Sequence, residues 1–298
     1  MEGELVTVII PTYKRHDKLN RSLRSVVNQT YDNLEIIVVN DCPNEIIDEH
    51  IEIKDERIKT INLNENRGGS GARNVGIENA NGKYIAFLDD DDEYLPEKIE
   101  KQVEKIEELP TNYGLVATGV NLIFENSKKI CRESESKKGQ LYQEQLRSNQ
   151  VRTVTPLVKN NCFGKVGKFD ESLEARQDYE MWLRILKKYK IAFVEEPLVN
   201  QYIGYEDRIS RDPAARYKGS KRVFEKHKQD ILKDKTALRK HYMRMGLELA
   251  YFDTYKAAKY LLKSLYLKRS LVALLTLFFP VPLRRGILNK IREIKKVM

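Results

Sequence analysis

The 298-residue sequence predicts an α/β protein with a parallel sheet in its first part and a helical C-terminal region. Two observations predict this fold. Short apolar, β-branched runs alternate with amphipathic segments, and the strand pattern ends before Asp212, after which only helical patterns follow. With 41% hydrophobic residues, the chain can bury a substantial core and is not disordered throughout.

Four runs near the N-terminus predict strands; the first two are continuously apolar, as in strands buried on both faces, and the third is weaker. They are Leu5–Pro11, Leu34–Asn40, Ile58–Leu63 and Lys83–Leu88. Helical segments separate these runs, so the sequence predicts parallel strands joined by right-handed crossovers. Two later apolar runs, Leu115–Phe124 and Ile191–Val194, predict further strands.

The predicted helices carry apolar residues along one face. They are His16–Asn28, Gly71–Asn79, Pro96–Leu109 and Tyr179–Tyr189, and a helical pattern resumes at Asp212. Pro96 suits the first turn of its helix, because a proline there removes no helical hydrogen bond. The polar stretch Glu125–Lys138 is predicted to be mobile.

Basic residues are concentrated after Asp253, where eleven Lys and Arg residues stand against a single acidic residue, Glu293. This tail carries +10 and the first 253 residues carry −1, so the basic balance predicts no nucleic-acid partner for the main body. Within the tail, Ser270–Leu283 is an uncharged run of 14 residues with two prolines. A membrane-spanning helix needs about 20 apolar residues, so this run is not expected to span.

The three cysteines form no C-x-x-C pair and the four histidines form no H-x-x-x-H pair. Their spacing therefore predicts neither a disulfide framework nor a structural zinc site. The N-terminus has no basic stretch before an apolar run, which predicts no signal peptide and a cytosolic location.

Polar residues follow three of the predicted strands: Pro11–Arg15, Asp41 and Asp89–Asp92. Carboxyl ends of parallel strands meet at one edge of a sheet, where ligands bind. The four adjacent carboxylates repel one another unless a cation neutralises them, and oxygen ligands suit Mg²⁺ or Mn²⁺ together with a substrate diphosphate. The alternative is a solvated acidic turn that caps the helix beginning near Pro96.

Two further motifs each admit two interpretations. The segment Asn66–Asn74 is glycine-rich and contains Arg73, which suits a phosphate-binding loop or an ordinary turn before a helix. Asp178 precedes an amphipathic helix and is either an N-cap or a functional carboxylate. Trp182 follows one turn later and is either a core residue or part of the same motif.

Together these motifs resemble the nucleotide-sugar-dependent family 2 glycosyltransferases. The matching segments occur in the family's order between about residues 5 and 205. They are Val8–Tyr13, Ser25–Tyr31, Glu35–Asp41, Gly71–Asn74, Tyr84–Asp92, Phe169–Glu171 and Asp178–Arg184.

The resemblance implies the GT-A fold, a mixed Rossmann-like sheet flanked by helices. It implies a catalytic domain over 1–211, with a nucleotide-sugar half at about 1–110 and an acceptor half at about 111–211, before a helical region at 212–298. It also implies an inverting, metal-dependent hexosyltransferase. Such an enzyme moves one sugar from a nucleoside-diphosphate sugar, with a UDP-sugar favoured, to a hydroxyl of a glycan or lipid-linked acceptor.

The resemblance also implies roles for individual residues. The expected donor-binding residues are Pro11, Thr12 and Tyr13 around the nucleoside, Asp41 on the base, and Arg73, Asp89 and Asp90. Asp89 and Asp91 are the expected ligands of Mg²⁺ or Mn²⁺, with Asp91 the main direct ligand. Asp178 is the expected catalytic base.

Some residues depart from the family pattern. Cys42 and Pro43 follow Asp41 where small residues are frequent, and Gln177 stands where relatives often carry an acid. The Q-x-x-R-W motif of processive synthases is absent, which favours transfer of one sugar. A sugar nucleotidyltransferase and a non-catalytic nucleotide-sugar-binding module at a membrane are the alternatives. A nucleotidyltransferase would leave the segment Asp178–Arg184 unexplained. A non-catalytic module would not require the carboxylates of Asp89, Asp91 and Asp178 together.

The basic tail has two interpretations as well. Its lysines and apolar residues predict peripheral attachment to an anionic membrane surface on the cytosolic side, beside a lipid-linked acceptor. The alternative is a helical subdomain that packs on the catalytic core or on a second subunit, as in a homodimer.

Overall fold

The computed structural model describes residues 3–125, 127–131, 138–203 and 212–268. These residues form two compact units. The first contains the described residues up to 142, together with 150–171 and 178–203. The second contains 143–149, 172–177 and 212–268, so it includes two short segments that precede the predicted helical region.

The first unit is built on one mixed sheet of nine strands within the described residues. The strands are β1 Val6–Thr12, β2 Leu34–Asn40, β3 Ile58–Asn62, β4 Tyr84–Phe87, β5 Glu93–Tyr94, β6 Tyr113–Phe124, β7 Ser127–Cys131, β8 Leu157–Lys159 and β9 Lys190–Tyr202. Their order is β3-β2-β1-β4-β8-β6-β9-β5, with β7 paired to β6. The four neighbouring strands β3, β2, β1 and β4 are mutually parallel, as the alternation of strands and helices in the sequence predicts. The strand β8 runs antiparallel to both β4 and β6, which makes the sheet mixed.

Ten α-helices lie in the described residues. They are α1 His16–Val27, α2 Gly68–Asn79, α3 Lys98–Glu107, α4 Tyr142–Arg147, α5 Asn161–Val166, α6 Gln177–Lys188, α7 Pro213–Lys226, α8 Lys228–Lys233, α9 Lys235–Leu249 and α10 Thr254–Leu267. A 3₁₀ turn, Ile47–His50, follows β2. None of the helices in these ranges combines the length and apolar character needed to cross a bilayer.

Helices cover the sheet on both faces, which explains why its central strands are continuously apolar. Val8 and Ile10 of β1 pack in one core cluster with Leu23 of α1. Ile9, which points to the other face, packs in a second cluster with Ala72 of α2 and Trp182 of α6. One apolar strand therefore serves two cores because successive side chains alternate between faces.

Most of the predicted elements are present, and the differences have local causes. β5 and β8, which were not predicted, have only two and three residues, too few for a strand pattern to be visible in the sequence. Within the stretch Glu125–Lys138, for which no element was predicted, Ser127–Cys131 pairs antiparallel with β6 as β7, and residues 126 and 132–137 lie outside the described residues. Ser270–Leu283 and the rest of the basic tail after Lys268 lie outside the described residues.

The second unit is helical in its described residues, as predicted from Asp212 onward. Asp212, Asp234 and Asp253 each accept a backbone N–H at the start of a helix, which satisfies donors that the helix itself leaves unpaired. The buried Glu248 of α9 accepts a hydrogen bond of 2.6 Å from Arg176 Nη2. This pair links α9 to the short segment 172–177 of the same unit.

Candidate active site

Three chain segments meet where the parallel strands β1, β2 and β4 end. Thr12 is the last residue of β1, Asp41 follows β2, and the acidic turn Asp89–Asp92 begins two residues after β4. The backbone N–H of Asp41 donates to the carbonyl of Thr12 at 2.9 Å. The Oγ1 hydroxyl of Thr12 donates to Asp90 Oδ2, also at 2.9 Å. Thr12 therefore joins the ends of all three strands.

The acidic turn is held in place by α1 and β9. Ser22 Oγ donates to the carbonyl of Asp92 at 2.5 Å, and Arg21 Nη2 donates to the carbonyl of Asp91 at 2.8 Å. The carboxylate of Asp92 accepts the backbone N–H of Tyr202 at 2.9 Å. The turn is thus fixed by two of its backbone carbonyls and by the carboxylate of Asp92.

The carboxylates of Asp89, Asp91 and Asp92 have oxygens within 4.8 Å of one another. Such an all-oxygen set fits Mg²⁺ or Mn²⁺, which prefer hard ligands. The predicted pair, Asp89 and Asp91, belongs to this cluster. Asp92 was not assigned a role from the sequence, and its oxygens also bind β9.

Arginines neutralise part of the charge of this turn. Arg73 Nη2 lies 2.5 Å from Asp89 Oδ1, so the predicted donor-binding residue is in contact with a predicted metal ligand. Arg15 Nη1 lies 3.3 Å from Asp90 Oδ1 and 3.4 Å from Asp91 Oδ2. Burial raises the pKa of Asp90 to about 6, although Arg15 and Thr12 act in the opposite direction. Arg15 belongs to the polar segment after β1, but its bridge between two carboxylates was not predicted.

Asp41 lies at the start of α2. Its Oδ1 accepts the backbone N–H of Arg67 at 2.7 Å, and Gly68 adopts a φ of 68° at the first position of the helix. Burial raises the pKa of Asp41, and the hydrogen bonds from Arg67 and Gly68 oppose this effect. The structure thus gives Asp41 a part in shaping the glycine-rich loop. Its expected contact with a nucleobase stays a prediction.

The glycine-rich loop is also tied to the segment that contains Phe169 and Glu171. Asn74 Nδ2 donates to Glu171 Oε1 at 2.8 Å, and Asn74 Oδ1 accepts the backbone N–H of Phe169 at 2.8 Å. Arg67 Nη2 lies 2.8 Å from the same Glu171 oxygen. The Phe-Asp-Glu motif therefore acts here as a support for the loop that carries Arg73.

Pro11 and Tyr13 flank Thr12 at the end of β1. Pro11 is half-buried and lies opposite Val39 of β2 in the register of the sheet. Tyr13 is 45% exposed, and Lys14 Nζ lies 5.3 Å from its ring centroid. An exposed aromatic ring at this edge is available to stack on a planar ligand.

Asp178 lies inside the first turn of α6, which begins at Gln177, rather than just before the helix as expected. The side chain is half-buried, and its Oδ1 accepts the backbone N–H of Tyr179 at 2.7 Å. Asp178 does not belong to the carboxylate cluster of the acidic turn. The structure therefore brings Thr12, Arg73 and Asp89–Asp92 together directly, and places Asp178 on a separate element.

Aromatic packing relates α6 to the end of β4. Trp182 contacts Phe169 edge-to-face with centroids 6.4 Å apart, and Phe169 contacts Phe87 in the same way at 5.4 Å. Phe87 is the last residue of β4, two positions before Asp89. Trp182 is fully buried in this ladder, so the core interpretation of the tryptophan is correct.

The sequence model of Glycosyl transferase family 2 matches residues 7–173, more than half of the chain. The chain belongs to this family. It is 36% identical over 217 residues to the uncharacterized glycosyltransferase MJ1057 of Methanocaldococcus jannaschii, covering 70% of this chain and 73% of that one. It is 29% identical over 224 residues to TuaG of Bacillus subtilis, a glycosyltransferase assigned provisionally to teichuronic acid biosynthesis, covering 74% of this chain and 86% of TuaG.

Solved structures of glycosyltransferases share the fold. Residues 1–349 of S. aureus TarS in complex with UDP-GlcNAc give a TM-score of 0.68 at 14% identity, covering 97% of this chain and 92% of that one. The mannosyltransferase PcManGT of Pyrobaculum calidifontis, in complex with GDP-Man and Mn²⁺, gives 0.60 at 16% identity, covering 96% and 84%. The predicted GT-A fold, a mixed sheet flanked by helices with helices following it, is thereby confirmed.

Proposed function

We propose that this glycosyltransferase transfers one hexose, with inversion, from a nucleoside-diphosphate sugar to a hydroxyl of a glycan or lipid-linked acceptor. The observation that carries the proposal is the meeting of Arg73 with the carboxylates of Asp89 and Asp91 at the carboxyl edge of β1, β2 and β4. Cationic side chains and a carboxylate-bound divalent cation both bind a diphosphate well, and ligands of α/β sheets bind at this edge. The folds that bind UDP-GlcNAc in TarS and GDP-Man in PcManGT support the donor class.

On the donor side, Asp89 and Asp91 would hold Mg²⁺ or Mn²⁺. The bound ion supplies Lewis-acid neutralisation of the charge on the departing diphosphate. Arg73 adds a fixed positive charge beside the same group. Asp90 keeps Thr12 and Arg15 in place, while Pro11, Tyr13 and Asp41 surround the nucleoside. Among donors we favour a UDP-sugar.

On the acceptor side, Asp178 would act as the general base. The acceptor oxygen forms a bond to the anomeric carbon while the bond from that carbon to the diphosphate oxygen breaks. The proton of the acceptor hydroxyl passes to the Asp178 carboxylate. Asp178 lies on α6 and not in the acidic turn, which suits attack on the face opposite the leaving group.

The test is thermal unfolding with UDP-, GDP- and dTDP-sugars, each with and without Mn²⁺. A donor that binds the native state raises its melting temperature by mass action. We expect one nucleotide class to shift the wild-type protein only with Mn²⁺, and Asp91→Asn to lose that shift. Asp17→Asn is the matched control, since Asp17 is exposed on α1 outside the cluster. A metal-independent shift, or one that survives in Asp91→Asn, contradicts the proposed role of the cluster.

We also propose that the second unit attaches the enzyme to an anionic membrane surface, where a lipid-linked acceptor resides. The helix α10 supports this proposal because its exposed side chains after Thr254 are aromatic, apolar or basic. They are Tyr255, Lys256, Lys259, Leu262, Lys263 and Tyr266. Each lysine near an anionic surface contributes about 1 kcal/mol.

Sedimentation with anionic vesicles tests the attachment. Replacing Lys259 and Lys263 by Gln should weaken binding roughly 30-fold, the equivalent of about 2 kcal/mol. The same substitutions at the exposed Lys228 and Lys235 are the matched control. A wild-type protein that stays in the supernatant and sediments in the ultracentrifuge as a dimer contradicts the attachment and favours subunit contact.

A further inference from the structure

A second group of ligand-type side chains lies beside the candidate active site. His16 opens α1, Glu45 lies between β2 and the 3₁₀ turn, and His50 ends that turn. His16 Nε2 lies 2.6 Å from Glu45 Oε1, and His50 Nε2 lies 3.5 Å from the same oxygen. One ligand atom from each residue falls within 4.8 Å of the others. The sugar transfer proposed above uses none of these three side chains.

Contacts among the described residues account for only part of this arrangement. His16 Nε2 is buried and lies 2.6 Å from Glu45 Oε1, close enough for direct contact. The second carboxylate oxygen, Glu45 Oε2, is also buried and has no hydrogen-bond partner among the described residues. Buried polar atoms are almost always paired with another polar group. A carboxylate with one unpaired oxygen beside two imidazole nitrogens fits a metal ion bound by all three side chains.

We propose that His16, Glu45 and His50 bind a zinc ion. Two imidazole nitrogens and one carboxylate oxygen form a ligand set that zinc accepts, leaving a fourth position open. Mg²⁺ prefers oxygen ligands, so the set differs in chemistry from the acidic turn.

The two imidazole rings are stacked, with centroids 3.8 Å apart and planes at 6°. Parallel rings do not aim their nitrogens at one point, so binding requires one ring to turn about its terminal torsion. His16 and His50 side chains are 30% and 38% exposed, which leaves space for that rotation. Terminal torsions of this kind are broad and cost little to change.

The ion would join the start of α1 to the segment after β2. Other bonds already bring these two parts together: Asn20 Nδ2 donates to the carbonyl of His50 at 2.8 Å, and Asn20 Oδ1 accepts the N–H of Glu52 at 2.9 Å. Zinc would therefore bind a largely formed site and stabilise the native state. The inference does not depend on the proposed donor or acceptor.

The test measures zinc binding to the whole chain by competition with a chromophoric chelator, in excess Mg²⁺ to occupy the acidic turn. We expect one equivalent of zinc for wild type and for Asp91→Asn. Glu45→Gln and His50→Gln should bind at least about tenfold more weakly, as loss of a metal-site residue commonly does. Glu49→Gln is the matched control, because Glu49 is exposed on the same 3₁₀ turn and outside the cluster.

Thermal unfolding without zinc shows whether each variant is folded, so a misfolded variant cannot imitate the expected result. The proposal is overturned if wild type binds less than one equivalent, or if Glu45→Gln and His50→Gln bind as tightly as Glu49→Gln. Loss of binding in Asp91→Asn alone would place the zinc in the acidic turn and also overturn it.

Discussion

Glu35 and Asp178 are both carboxylates of the first unit, and their surroundings assign them different tasks. Glu35 lies near the start of β2, at the opposite edge of the sheet from the acidic turn. It accepts hydrogen bonds from Thr7 at 2.6 Å, from Lys59 at 2.7 Å and from Asn81 at 2.7 and 2.9 Å. A carboxylate with this many donors is a structural anchor, whereas Asp178 has a half-buried side chain on a helix end.

Glu35→Gln should lower the free energy of unfolding at pH 7 by about 2 kcal/mol, a value reduced for the exposure of Lys59 to water. Burial alone would raise the pKa of Glu35, but Lys59, Thr7 and Asn81 outweigh it and lower the pKa to about 2 from 4.5. The stabilisation is therefore complete above pH 4.5 and is lost as the pH falls through about 2. Urea unfolding of both proteins from pH 7 to pH 2 checks this. A stability difference independent of pH contradicts it.

Asp178→Asn should lower kcat by about 10²- to 10⁴-fold, because an amide cannot take up the proton that the acceptor hydroxyl loses. The donor-induced rise in melting temperature should stay unchanged, since Asp178 lies outside the carboxylate cluster. Steady-state kinetics and thermal unfolding with donor measure the two effects. Glu174→Gln, an exposed neighbour, is the control. Equal losses of donor binding and turnover would falsify the assignment of Asp178 as base.

Individual site residues were predictable only as far as topology decides their positions. Thr12 ends a parallel strand and Asp41 and Asp89 follow two others, so their meeting at one edge follows from the order of strands and helices. The contacts of Arg15 and Asp92 depend on the conformation of the acidic turn and on β9, about a hundred residues later. The His16 and His50 pair is 34 positions apart, so no local spacing motif could reveal it.

The contact between α2 and β1 depends on the absence of a side chain at Gly76. A Cβ atom at this position would lie 2.4 Å from Cγ2 of the buried Ile9. The helix that carries Arg73 can lie against the sheet at this distance only with glycine there. Its apolar pattern was visible in the sequence, but its distance from the sheet was not.

Gly76→Ala should therefore destabilise the protein by about 1–3 kcal/mol, the usual cost of overpacking a core. Gly164→Ala on α5 is the matched control, because no atom of the described residues lies within 4 Å of the added methyl group. That substitution should be neutral or stabilise by up to about 1 kcal/mol, since alanine restricts the unfolded chain. Chemical denaturation of both variants gives the comparison. Equal stabilities would show that α2 adjusts its position.

At the scale of the whole molecule, the described residues form two units whose boundaries do not follow sequence order. Within the second unit, His241 Nε2 lies 3.0 Å from the carbonyl of Leu146, and Arg147 Nε lies 2.7 Å from Asp234 Oδ2. Helices after residue 212 therefore share a unit with segments that occur much earlier. Composition and charge predicted a helical C-terminal region. Long-range contacts of this kind leave no mark in local sequence patterns, and the division at 211/212 stays a prediction.

A chain truncated after residue 211 should melt at a lower temperature than the full chain and aggregate on heating. The truncation removes the partners of the Leu146 carbonyl, of Arg147 and of Arg176, and it exposes apolar surface that the second unit buries. Calorimetry with light scattering measures both effects. An unchanged melting temperature would show that the helices after 212 form a separable domain.

The pairing of β5 with β9 has a consequence for synthesis. β5 follows the acidic turn directly, yet its partners Val199 and Asn200 are more than a hundred residues later. The carboxylate of Asp92 likewise can form its hydrogen bond only after Tyr202 has been synthesised. A ribosome makes the carboxylates long before it makes the strand that holds them, so the nascent chain carries an incomplete turn until β9 emerges. Strand β9 therefore completes the support of the acidic turn only after most of the first unit has been synthesised.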